Sequence, residues 1–137
     1  MRRAARTFVV GYDGSTAARD AVDYAARRAG PGGSLVLVYG YGSTDPRAVI
    51  DDREDQGRSI LDGVLLDGND ELADTTYTTE LSPAAPAQAL VDAARAHDAA
   101  EIVVGCRSFG RFRGVLGSVS HDLVHLADRP LVVIPKS

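Results

Sequence analysis

Thr7-Phe8-Val9-Val10-Gly11-Tyr12-Asp13-Gly14-Ser15 runs from a β-branched, apolar segment into a turn. Its first five residues predict a buried strand, and Asp13-Gly14-Ser15 predict the turn that ends it. Downstream, Ala17, Ala18, Ala21, Val22, Ala25 and Ala29 recur at spacings of three and four, which places them on one face of a helix. Asp13 or Ser15 can cap that helix, and Gly30-Pro31-Gly32-Gly33 stops it. Strand, turn and helix are followed by Leu35-Val36-Leu37-Val38-Tyr39, an apolar run without alternation. Such a run predicts a strand covered on both faces, as in a parallel sheet.

The pattern repeats toward the carboxyl end. Thr75 to Leu81 predicts a strand, with a Thr- and Tyr-rich composition that suits a sheet edge. Ser82-Pro83 predicts a helix start, with Ser82 as N-cap and Ala87, Leu90, Val91 and Ala94 on the inner face. Glu101 to Gly105 predicts another buried strand, Ser118 to Ala127 a helix, and Leu131 to Ile134 a last strand. Between them, residues 46–74 offer one helical stripe through Ile50, Leu61, Val64, Leu65 and Leu72. Gly57, Gly63 and Gly68 weaken that stripe by up to about 1 kcal/mol each. Between Asp51 and Asp74 nine acidic residues stand against Arg53 and Arg58, which reads as a solvated acidic face.

Strands alternating with helices give an α/β class: one doubly wound domain over residues 1–137, a five-stranded parallel sheet flanked by helices. The 137 residues are 45% hydrophobic and 25% charged, which excludes a disordered chain, a collagen and a coiled coil. A net charge of -4 disfavours non-specific nucleic-acid binding, so no nucleic-acid partner is expected. No apolar run approaches the ~20 residues of a membrane helix, so no membrane partner is expected either. Arg2, Arg3 and Arg6 precede an apolar stretch too short for the core of a signal peptide. The one cysteine, Cys106, forbids an internal disulfide and fits a reducing, cytoplasmic compartment.

In open sheets of this kind ligands bind beyond the carboxyl ends of the strands, at the switch point. The first strand ends at Asp13. The fourth ends at Gly105 and is followed by Cys106-Arg107-Ser108-Phe109-Gly110-Arg111-Phe112-Arg113-Gly114-Val115-Leu116-Gly117-Ser118. If the two strands are neighbours, Asp13 and this loop share a crevice. Glycines let backbone amides approach a phosphate, and a helix starting near Ser118 adds free N–H groups and a positive dipole end. Ser118 can donate to a phosphate or cap its helix, and Arg107, Arg111 and Arg113 can neutralise phosphates or remain solvated.

Other motifs fail on inspection. Gly105 and Gly110 have P-loop spacing, but Arg111-Phe112 stands where Lys-Ser/Thr belongs. Gly40-Tyr41-Gly42 begins like a dinucleotide fingerprint, but Asp45 replaces its third glycine. His121-Asp122-Leu123-Val124-His125 mimics a zinc-binding helix, yet Asp is shorter than the required Glu and no third ligand is evident. No nucleophile, base and orienting group can be assigned around Ser15, Ser118 or Ser120.

The two ends of the chain together resemble the universal stress protein family. Val9-Val10-Gly11-Tyr12-Asp13-Gly14-Ser15 opens it, and Gly117-Ser118-Val119-Ser120 with Ala127-Asp128-Arg129-Pro130-Leu131-Val132-Val133-Ile134-Pro135 closes it. Its ATP-binding branch, the nearer one, carries Gly, two residues, Gly, nine residues, Gly, then Ser or Thr. Gly105 and Gly117-Ser118 match this pattern. Ser108 replaces the second glycine, and eight residues rather than nine separate it from Gly117. A serine at positive φ costs about 1–2 kcal/mol relative to glycine, and one missing residue shortens the reach by up to about 3.5 Å. Gly110 stands ready to recover the turn.

The resemblance implies a stress-response regulator that binds ATP, with Mg²⁺ accompanying the phosphates. Asp13 would hold the adenosine end. Gly40 stands where the family often has a valine lining the adenine pocket. Gly105, Ser108, Gly117, Ser118 and the amide of Val119 would cradle phosphate. It also implies a homodimer made by pairing the final strands, Leu131 to Ile134. No residue is placed to activate water, so no catalytic residue is expected and at most a slow ATPase. The altered loop keeps a second reading open: a member of the family that binds no nucleotide and acts through dimerisation and protein partners.

Overall fold

Apolar, β-branched segments form five strands in the computed structural model: β1 (Thr7–Gly11), β2 (Ser34–Gly40), β3 (Thr76–Ser82), β4 (Glu101–Gly105) and β5 (Leu131–Ile134). Four helices alternate with them: α1 (Thr16–Ala29), α2 (Arg53–Asp62), α3 (Pro86–Ala96) and α4 (Ser118–Leu126). The structure describes residues 5–43, 53–66, 69, 72, 74–106 and 118–135.

All strand pairings are parallel, in the order β3-β2-β1-β4-β5. Val9 lies between Val36 of β2 and Ile102 of β4, and Val10 lies between Leu37 and Val103. Side chains alternate between two buried layers. Phe8, Val10, Leu35, Leu37 and Val103 pack under α1 and α2, whereas Val9, Val36, Val38, Ile102 and Val104 pack under α3 and α4. Both faces of the central strands are therefore covered, which is why those strands read as unbroken apolar runs. Phe8, Val9 and Val10 are completely buried. Each such side chain contributes about 1.5–3 kcal/mol relative to exposure.

The chain leaves β1 in one direction for β2 and β3, then returns to the other side for β4 and β5. The reversal puts the carboxyl ends of β1 and β4 side by side, at the switch point of the sheet.

Two local expectations are corrected. Ser82 is the last residue of β3 and does not cap a helix; its Oγ accepts the N–H of Ala84 at 3.1 Å. The helix begins at Pro86 behind Ala85, which offers no side-chain cap. The stripe in residues 46–74 is only partly helical. Leu61 and Val64 are buried on or just after α2 and Leu72 is buried beyond it, but Leu65 is 54% exposed; Ile50 lies outside the described residues. On α4, Leu123 is buried while Val124 and Leu126 face outward.

Candidate functional site

The β1–α1 turn fixes the first wall of the site. Gly14 has φ of 80°, a left-handed value that glycine adopts without strain. Ser15 caps α1, its Oγ accepting the N–H of Ala18 at 3.1 Å. Asp13 accepts the N–H of Ser15 on Oδ1 at 3.0 Å, which orients its carboxylate at the end of β1.

Beyond the strand ends opens a cleft of about 410 Å³, within the ~300–1,000 Å³ typical of small-molecule sites. Asp13, Gly40, Gly105 and Val119 all line it. Ser118 is the first residue of α4, whose opening turn presents amides without intrahelical partners. Ser108, Gly117 and the side chain of Ser118 lie outside the described residues, as do Arg107, Arg111 and Arg113.

Two of these glycines are required by close approach. A Cβ on Gly105 would overlap the carbonyl oxygen of Ala17, where α1 abuts β4. A Cβ on Gly40 would come within 2.8 Å of the Ala84 carbonyl oxygen and 2.9 Å of Pro86 Cα. The first turn of α3 thus occupies the space that a valine side chain would need, and Gly40 lines the cleft with backbone alone.

Sequence reasoning missed several cleft residues. Tyr41 and Ser43 follow β2, Pro86 and Leu90 come from α3, Arg53 opens α2 and Asp122 lies on α4. The rule that ligands sit beyond strand ends is the signal that could have found Tyr41 and Ser43. Arg53 carried no such signal, because the start of α2 is hidden among charged residues. Also missed was Asn69, buried among Asp and Gly, which donates to the Tyr12 hydroxyl at 2.9 Å and to the Val64 carbonyl at 2.6 Å. It braces Tyr12, itself on the cleft wall.

The rings of His121 and His125 stand edge to face with centroids 5.1 Å apart, and both residues are exposed. Among the described residues no group of three or more His, Cys, Asp or Glu is placed to hold a metal ion. Cys106 is buried at the end of β4, where its N–H donates to Ile134. No helix among the described residues is long and apolar enough to cross a membrane.

The family model of the universal stress protein family matches residues 4–135. The chain belongs to that family. Universal stress proteins of two Mycobacterium tuberculosis strains are 35% identical to it over 142 aligned residues, covering 92% of this chain and 46% of theirs. The chain therefore spans about half the length of these relatives. Among solved structures, a universal stress protein in complex with cAMP is 26% identical, with a TM-score of 0.73 over 98% of this chain and 100% of that one. The universal stress protein from Archaeoglobus fulgidus in complex with dAMP is 25% identical, with a TM-score of 0.70 over 94% and 97% of the two chains. The five-stranded parallel sheet with flanking helices is the architecture this universal stress protein shares with them.

Proposed function

We propose that the chain is a stress-response regulator that binds an adenine nucleotide, with ATP as the full ligand, at the carboxyl ends of β1 and β4. The observation that carries this reading is the adjacency of those two strands. It brings Asp13, Gly105 and the start of α4 to one cleft. Two similar structures hold cAMP and dAMP, which supports adenine as the base.

In this reading Asp13 accepts hydrogen bonds from the adenosine end. Gly40 meets the base with backbone alone, because the first turn of α3 fills its side-chain space. Gly105, Ser108, Gly117, Ser118 and the Val119 amide receive the phosphates, where a helix start and close backbone favour negative charge. The carboxylate of Asp122, on the cleft wall beside the start of α4, fits Mg²⁺ arriving with phosphates and its own water, which needs only one or two protein oxygens. In this reading the nucleotide acts as a signal, with at most slow hydrolysis. A cytoplasmic setting fits the single cysteine.

A second reading is favoured by Ser108 and the shortened loop: a family member that binds no nucleotide and works by pairing Leu131–Ile134 between two copies and through protein partners. Melting with and without Mg-ATP separates the two. At ~100 times its dissociation constant a ligand stabilises by about 2.7 kcal/mol, a shift of several degrees at this size. ATP, AMP and cAMP are expected to raise the melting temperature more than GTP, and Asp13→Ala and Gly117→Asp to abolish the shift. No shift at millimolar ATP favours the second reading.

A further inference from the structure

Arg53 is the first residue of α2, half-buried, and it lines the cleft. A cation there opposes the positive end of the helix dipole, which Glu54 and Asp55 in the same turn complement. Arg53 forms no salt bridge with another described residue. It is the one cationic side chain on the cleft wall among the described residues. Local preference and observed residue thus disagree at a ligand cleft, which is where such conflicts are expected to serve function.

The packing of α2 explains how Arg53 reaches the cleft. Gly57 and Leu61 are buried, and Arg53 is four residues before Gly57 on the same stripe. A Cβ on Gly57 would overlap the Tyr39 ring, so the helix sits directly on that ring at the end of β2. The next position of the stripe toward the strand ends is Arg53. Helix α2 packs with α1 on one face of the sheet, whereas Pro86 and Leu90 reach the cleft from α3 on the other. The β2 end of the cleft is therefore bounded by an apolar wall on one side and a guanidinium on the other.

We propose that Arg53 lays its guanidinium plane against the base of the bound nucleotide, opposite Pro86 and Leu90, and so selects for a planar aromatic group and not for phosphate. This rests on the nucleotide reading above, in which phosphates at the β4–α4 end leave the base at the β2 end. A guanidinium suits the role because it is planar, weakly hydrated and stacks on aromatic faces.

Calorimetric titration of the full chain with ATP and with adenosine tests this, using wild type, Arg53→Ala and Arg53→Lys. Arg53→Ala is expected to weaken both ligands by a similar factor, on the order of tenfold. Arg53→Lys keeps the charge without the plane and is expected to recover only a small part of the loss. A loss confined to ATP and restored by lysine assigns Arg53 to phosphate and overturns the proposal, as does unchanged affinity in Arg53→Ala. If wild type binds neither ligand, the nucleotide reading itself fails and this inference falls with it. If wild type binds and Arg53→Ala binds equally well, only this inference falls.

Discussion

Arg129 ties three elements together at the amino end of the sheet. Its Nη1 donates to the carbonyls of Ala94 and Ala99, at 2.8 Å each, closing the end of α3 onto the approach to β4. Asp128 holds the other side of the guanidinium and also accepts from Arg95. Hydrogen bonds from Arg129 and then Arg95 lower the Asp128 carboxyl from its ordinary 3.8 to about 2. Because the folded value lies below the unfolded one, the contribution is complete above pH 3.8 and is lost as pH falls toward 2. Asp128→Asn is therefore expected to lower the melting temperature at neutral pH. Scanning calorimetry should show the gap from wild type closing as the pH approaches 2; a gap constant down to pH 2 counts against the assignment.

At the scale of elements, Gly57 sets the seat of α2. Alanine in a helix interior is favoured over glycine by about 1 kcal/mol. Here the added Cβ would overlap the Tyr39 ring and stand 2.7 Å from Leu81 Cδ1, and overpacking costs about 1–3 kcal/mol. Overpacking wins, so Gly57→Ala should lower the urea midpoint despite its better helix propensity. An unchanged or higher midpoint would show that α2 can slide on the sheet.

Legibility also differs by element. Strands β1, β2 and β4 were plain in the sequence because two buried faces leave no polar alternation to confuse. The start of α3 was misplaced because Ser82-Pro83-Ala84-Ala85-Pro86 offers two prolines, and only Pro86 lies in the first turn. Asp13 and Gly105 were readable as cleft residues because Gly105 ends β4 and Asp13 lies two residues past the end of β1, both at the switch point. Arg53 and Asn69 were not: their placement depends on how α2 and the chain after it fold back, and no periodicity encodes that.

For the whole molecule, the two edges of the sheet differ. Strand β3 presents Thr and Glu, a polar edge that resists pairing with another chain. Strand β5 is Leu-Val-Val-Ile, partly exposed, and Val124 and Leu126 face outward from the preceding helix. Association through β5 is thus the expected route to a homodimer. Light scattering at high protein concentration should give twice the 14.4 kDa chain mass; a monomeric mass there would count against it.

Because β1 lies between β2 and β4, its two neighbours leave the ribosome at different times. At ~5–20 residues per second, β4 follows β2 by several seconds. During that interval the nascent chain has one flank of its central strand unsatisfied, a template for wrong pairing that holdase chaperones are suited to cover. Arrival of β4 seals that flank and α4 then completes the cleft, so a chain stalled before Glu101 would be both sticky and without a finished cleft.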